Sequence, residues 1–194
     1  MIAGIVLAAG QSKRMGRPKM NLAWGETTVI GQVVSTLLQA GLQEIVVVTG
    51  GARHEVETSL AGYPVRLVFN PDYEQGEMVS TFQAGLTALG DEIEAALVTL
   101  GDQPQIERGV VESVVDAYRR TRASLIIPSY RNRRGHPWLL DRSLWPEGLS
   151  LRSPSTLRDF LNDHASQISY LTVETSTVLQ DLDTPADYGL YRPE

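Results

Sequence analysis

Cysteine is absent from the 194 residues. That excludes disulfides, thiol catalysis, iron–sulfur clusters and thiolate-ligated zinc. Histidine is scarce. His54, His136 and His164 stand far apart and without metal-site spacing, which argues against a zinc enzyme. Basic charge is in deficit: 17 Lys and Arg face 23 Asp and Glu, for a net charge of −6. General attraction to nucleic acid or to an anionic membrane is therefore disfavoured, and an anionic ligand needs a local basic patch or a metal ion. No apolar run approaches the ~18 residues of a membrane helix. The apolar run 2–7 has no basic flank and leads into a polar loop, unlike a secretory signal. These absences lead to the expectation of a cytoplasmic protein that partners neither nucleic acid nor membrane.

What is present is the composition of a soluble globular chain, 42% hydrophobic and 21% charged with 17 Gly and 10 Pro. At roughly 150 residues per domain the length fits one domain over 1–194. Strand and helix patterns alternate. Residues 2–7 read as a central strand buried on both faces. Val29, Ile30, Val33, Val34, Leu37 and Leu38 then line a helical face that Gly41 stops. Further strands are expected at 44–49, 65–69, 95–100, 124–128 and 168–173. Helices are expected at 55–60, around Val79–Leu89 and Val110–Tyr118, at 154–163 with Ser153 as cap, and after Thr184-Pro185. His54 and His164 read as surface helix residues, and 130–151 is irregular. The alternation predicts a three-layer α/β sandwich with a mostly parallel, Rossmann-like sheet. Ligands of such sheets sit at the carboxyl ends of strands, where segments 8–19 and 101–104 fall.

The first segment reads Leu7-Ala8-Ala9-Gly10-Gln11-Ser12-Lys13-Arg14-Met15-Gly16-Arg17-Pro18-Lys19. Small residues let backbone N–H groups approach phosphate oxygens, and four cations gather here in an acidic chain. The spacing fits neither a Walker A loop, whose Lys follows the second Gly directly, nor the dinucleotide fingerprint. On composition alone a solvated loop is the competing reading. The second segment, Gly101-Asp102-Gln103-Pro104, offers a strand-end carboxylate or a turn Asp bonded to its own backbone. Asp183 in Leu182-Asp183-Thr184-Pro185-Ala186-Asp187 is either a ligand to a cation or part of a helix cap. Asp181 is a poorer alternative ligand, and Asp187 reads as structural. A second basic cluster runs from Arg131 to Arg134, ahead of Gly135-His136-Pro137.

The pattern Ala-Ala-Gly-x-Ser-x-Arg-Met-Gly-x-x-Lys after a first strand, with Gly-Asp-x-Pro and Asp-Thr-Pro-x-Asp downstream, resembles the MobA-like nucleoside-triphosphate transferases. Within them it is most similar to the molybdenum-cofactor cytidylyl and guanylyl group. The resemblance spans about 2–190 and implies a nucleotide-diphospho-sugar transferase type of fold. It implies a magnesium-dependent nucleotidyltransferase that releases pyrophosphate.

The resemblance also implies roles. The backbone of Leu7, Ala8, Ala9 and Gly10 borders base and ribose, while Ser12, Arg14 and Gly16 surround the triphosphate. Lys19 bridges phosphate oxygens, and Asp102 and Asp183 hold Mg²⁺. Asn70, Gly76 and Ser80 lie near the nucleotide, and His136 borders the acceptor. Guanylyl-transferring relatives carry Gly-Gly where this chain has Ala9-Gly10. That points to CTP as donor and a molybdopterin-type cofactor as acceptor, with a molybdoenzyme client or its chaperone as a further partner. Two alternatives stay open: another phosphorylated acceptor such as a sugar or alditol phosphate, or an accessory or oxidoreductase paralogue on the same fold.

Overall fold

The computed structural model describes residues 1–75 and 78–193. β1 (Ile2–Ala8) is buried along almost its whole length. A small hairpin, β2 (Ala23–Trp24) and β3 (Thr27–Thr28), delivers the chain to α1 (Val29–Gln39). The Thr28 hydroxyl caps α1, accepting from the Gly31 N–H at 3.1 Å. β4 (Glu44–Thr49), α2 (Arg53–Ser59), β5 (Arg66–Phe69), α3 (Met78–Thr87) and β6 (Ala95–Leu100) follow. The second half holds α4 (Arg108–Thr121), β7 (Leu125–Tyr130), β8 (Arg133–Arg134) and β9 (Trp138–Asp141). It closes with α5 (Trp145–Ser150), α6 (Leu157–Asp163), β10 (Ile168–Thr172) and α7 (Pro185–Tyr191).

One sheet runs β10-β7-β9-β6-β1-β4-β5, with β8 paired to β7. β1 is parallel to β4 and β6, β4 to β5, and β7 to β10. Only β9 and the short β8 run the other way within that sheet. Alternate residues of the central strands feed two cores. Val6, Ala8, Val47 and Leu97 pack with Val33, Leu37, Val111 and Tyr118 on the α1/α4 side. Ile5, Leu7, Val48 and Val98 pack with Phe82, Leu86, Trp145 and Phe160 on the α3/α5/α6 side. The result is the expected three-layer sandwich. No helix among the described residues is long and apolar enough to cross a membrane.

Four details differ from the expectation. The segment 130–151, expected to be irregular, forms β8, β9 and α5. β2–β3 is too short for periodicity to register. α6 starts at Leu157, not Pro154, because Thr156 and Asp159 form a capping box: the Asp159 carboxylate accepts from the Thr156 N–H at 2.8 Å, and the Thr156 hydroxyl from the Asp159 N–H at 3.2 Å. His164 is buried, not on the surface. Its ring contacts the Phe160 carbonyl and the Glu147 carboxylate, both at 2.8 Å.

The strand order places the site. β4 and β5 lie on one side of β1 and β6 on the other, so the order reverses at β1 and opens a crevice past the carboxyl ends of β1 and β6. The loops after those two strands carry Ala9–Lys19 and Gly101–Pro104.

Candidate active site

The loop after β1 is set by its own hydrogen bonds. The Ser12 carbonyl accepts from the N–H groups of Met15 and Gly16 at 3.1 and 3.2 Å. Ser12 and Gly16 both take left-handed backbone, at φ 51° and 71°, a conformation that favours Gly at 16. The Ser12 hydroxyl accepts from the Lys19 N–H at 3.1 Å and closes the loop. Met15 anchors it from below, buried with Leu22, Trp24, Val29 and Leu182 beneath Tyr188 and Tyr191. The last residues of the loop join the core: Met20 is buried, and its carbonyl accepts from the Ile30 N–H at 3.0 Å.

The loop after β6 is tied to the same place. The Gly101 N–H donates to the Leu7 carbonyl at 2.9 Å. A Cβ on Gly101 would meet Ile30, Ala8 and Met20 at 3.0–3.1 Å, so glycine lets this turn press against the first loop. Asp102 then reaches the Lys19 ammonium, which also donates to Asp183 Oδ1 at 3.3 Å. Arg14 pairs with the other Asp183 oxygen at 3.0 Å.

Asp183 is spared for this role because the cap of α7 is made by its neighbours. The Thr184 hydroxyl accepts from the Asp187 N–H at 3.2 Å, and the Asp187 carboxylate accepts from the Thr184 N–H at 2.7 Å. Thr184 holds the Asp187 carboxyl below the usual range. Asp181 receives the Gln103 side-chain amide. Burial pushes the Asp181 carboxyl up, against the Gln103 hydrogen bond, with the Asp102 and Asp183 charges adding to the rise and Lys19 opposing it.

Two adjoining cavities follow. One of about 280 Å³ is lined by Leu7, Ala9, Gly10, Lys19, Asp102 and Asp183 among others. The other, about 300 Å³, is lined by Ser12, Lys13 and Glu74 and shares Gly10, Arg14, Lys19, Tyr73 and Asp183 with the first. Ala8 and Gly16 line neither: the Ala8 methyl faces the α1/α4 core, and Gly16 shapes the turn. Asn70 is buried at the end of β5. It donates to Ser80 and Thr81 hydroxyls at 3.0 and 3.1 Å and accepts from the Asp72 N–H at 3.0 Å. Asn70 and Ser80 thus fasten α3 to the sheet, with Ser80 in the helix's first turn. Gly76 lies outside the described residues.

His136 lines a third cavity of about 650 Å³ with Trp138, Leu157, Leu161, Arg134 and Arg158. Burial pushes its imidazole down to about 4, so the ring is neutral near pH 7. Met78 lines both this cavity and the 280 Å³ one, so the two adjoin. Sequence reasoning passed over Tyr73, Met78 and Gln103. A lone aromatic in a turn and a Met at a helix start carry no pattern, though Gln103 stood inside the quoted Gly-Asp-Gln-Pro.

Among the described residues no three or more His, Cys, Asp or Glu gather as a metal cage. The donor set is two carboxylates converging on one ammonium, beside a cationic loop. That suits a hard cation which takes its remaining ligands from phosphate and water.

Residues 4–168 match the MobA-like NTP transferase domain. The chain is 28% identical over 191 residues to Molybdenum cofactor cytidylyltransferase of Escherichia coli, covering 95% of this chain and 92% of that protein. It is 31% identical over 190 residues to Nicotine blue oxidoreductase of Paenarthrobacter nicotinovorans, covering 94% and 92%. The crystal structure of the Mycobacterium tuberculosis protein Rv0371c superposes with a TM-score of 0.87 at 25% identity, over 97% of this chain and 96% of that one. That protein's complex with manganese superposes at 0.83, with the same identity and coverage.

Proposed function

The chain belongs to the MobA-like NTP transferase family and is a nucleotidyltransferase, and from that premise we propose that it transfers CMP from CTP to a molybdopterin-type cofactor. An oxygen of the acceptor's terminal phosphate attacks the α-phosphorus of CTP. The bond to the bridging oxygen breaks, and the β- and γ-phosphates leave as pyrophosphate. The acceptor phosphate is already a nucleophile, so no Ser, Cys or His nucleophile is needed.

The observation that carries the reading is the convergence of Lys19, Arg14, Asp102 and Asp183 past the carboxyl ends of β1 and β6. Ala9 and Gly10, with the apolar Leu7 beside them, offer a floor for base and ribose. Ser12 and Arg14 face the neighbouring cavity, where a triphosphate meets the loop's cations. Gly16 holds the turn that presents them. Lys19 neutralises charge that grows on the phosphates in the transition state, in a poorly hydrated place where such neutralisation counts most. Asp102 and Asp183 would hold Mg²⁺, supported by the donor set and by a relative of known structure solved with manganese; an ion held there would supply charge neutralisation for the phosphates. His136, neutral and beside Trp138, borders the acceptor cavity as a binding group, not as a base. The remaining work is positioning of the two phosphates.

The test is pyrophosphate release by the purified protein with Mg²⁺ and molybdopterin, comparing CTP, GTP, ATP and UTP. CTP is expected to be the preferred donor. Release with a sugar or alditol phosphate but not with molybdopterin would replace the acceptor and keep the transferase. A second reading, an oxidoreductase, has the 31% identical relative in its favour; it is selected if no nucleotide and acceptor pair releases pyrophosphate.

A further inference from the structure

Lys19 sits between the two carboxylates proposed above to hold the metal. Its ammonium donates to Asp102 and, at 3.3 Å, to Asp183. The side chains of Lys19, Asp102 and Asp183 are only 11%, 15% and 28% exposed, so the three groups share one poorly hydrated spot. Arg14 takes the far oxygen of Asp183 from the solvent side. Asp181 flanks the spot and is held by Gln103. An ammonium cannot leave two such carboxylates uncompensated without a large penalty. A second cation cannot enter between them while the ammonium stays, because like charges at that distance repel strongly in a poorly hydrated site.

We propose that Lys19 and the divalent metal are alternative occupants of the Asp102–Asp183 pair, and that metal enters as Lys19 swings onto the triphosphate. The proposal rests on the reading of those two carboxylates as the metal ligands. Lys19 is then a gate against free metal as well as a phosphate partner. The triphosphate supplies the oxygens that the ammonium needs in exchange, so nucleotide and metal favour each other's binding. By linkage the effect is equal in both directions. An ammonium anchored elsewhere in the site would leave the carboxylates open to metal at all times.

The experiment is titration of the folded protein with MnCl₂ alone, following loss of the free-Mn²⁺ electron paramagnetic resonance signal. Lys19→Met is expected to bind Mn²⁺ roughly tenfold or more tightly than wild type, the gain from removing a close, poorly hydrated competitor. Lys13→Met removes one charge from the same loop but lies on neither carboxylate; it is expected to stay within about twofold, the scale of an exposed charge. The gain should vanish in the double variant Lys19→Met with Asp102→Asn. Lys19→Gln carries the same expectation should Lys19→Met fail to fold. If Lys19→Met binds no more tightly than wild type while Asp102→Asn abolishes wild-type binding, the exchange is overturned and the ligand reading stands. An equal gain in Lys13→Met also overturns the exchange. If the gain survives Asp102→Asn, Asp102 is not a ligand, and both readings fall.

Discussion

The backbone N–H of Leu182 donates to the backbone carbonyl of Asp102 at 3.0 Å. This bond splices the turn after β6 to the segment before α7, and Leu182 is itself fully buried under the loop that follows β1. The two carboxylates therefore meet on Lys19 through backbone that is fixed, so neither side chain is needed to hold the splice itself. The first prediction follows. Asp102→Ala removes a carboxylate but neither that backbone bond nor any core packing. Turnover is expected to fall beyond detection, on the order of 100-fold or more, with far-UV circular dichroism unchanged. Near-normal pyrophosphate release from the folded variant would defeat the assignment.

Lys19→Ala tests the charge at the reacting phosphates. Losing one donor aimed at transition-state charge costs about 3 kcal/mol, or ~100-fold in rate. The loss should appear in kcat at saturating nucleotide. A change confined to KM would mean that Lys19 binds substrate and transition state equally.

Most of the scaffold was readable because the central strands are continuous apolar runs and the long helices keep one apolar face. Small residues and a carboxylate after buried strands marked the loop after β1 and the Gly-Asp-x-Pro turn as candidates, but a solvated loop and a turn Asp fitted equally well, and only the family resemblance pointed them at a ligand. What could not be read is the meeting of Lys19 with Asp102 and Asp183, which are 83 and 164 residues away along the chain. That contact is a product of strand order. His164 was misjudged for a related reason: its partner Glu147 comes from a separate helix, and the ring also packs on Phe160, 4.5 Å between centroids. Asn70 illustrates the limit from the other side. The resemblance placed it near the nucleotide, and the fold gives its amide a task no local pattern announces, holding the first turn of α3.

His136 supplies a pH prediction. Its imidazole is held down to about 4 in the fold, against ~6.5 in an unfolded chain. Between these values the unfolded state binds the extra proton, so stability falls as pH drops from about 6.5 towards 4 and is fully present above that window. The upper bound for this one group is about 3 kcal/mol. Urea midpoints should decline across the window in wild type. In His136→Asn, which carries no titrating ring, that part of the slope should disappear. An identical slope in both proteins would place the titration elsewhere.

Gly16→Ala probes the loop. At φ 71° an L-residue is strained by about 1–2 kcal/mol, and open space around the position leaves no clash to add. A small drop in melting temperature is expected together with a higher KM for nucleotide, because the turn presents Ser12 and Arg14. Since Lys19 and Asp102 stay in place, kcat should change little. A collapse of kcat at saturating nucleotide would show that the turn does more than present the triphosphate partners.

If CTP is the donor as proposed, Ala9 is the residue expected to bias base choice. Ala9 lies just past β1, in the wall of the 280 Å³ cavity, and its place is fixed by the Gly50-Gly51 turn. The Ala9 carbonyl accepts from the Gly51 N–H at 3.3 Å. A Cβ on Gly50 would come within 2.5 Å of that carbonyl and 2.8 Å of the Ala9 methyl. With Gly50 pressed against it, Ala9 cannot retreat from a larger base. A purine should therefore meet the methyl where cytosine fits beneath it. One methyl discriminates by only ~1–3 kcal/mol, enough to bias the choice and too little to fix it alone. Ala9→Gly is expected to raise GTP use relative to CTP by roughly tenfold or more without a full switch, measured by competition with both nucleotides. A wild type that already prefers GTP would end the cytidylyl reading and leave the transferase intact. An unmoved ratio in a CTP-preferring protein would take Ala9 out of base selection and leave that task to the rest of the cavity wall, where Tyr73 and Thr81 stand.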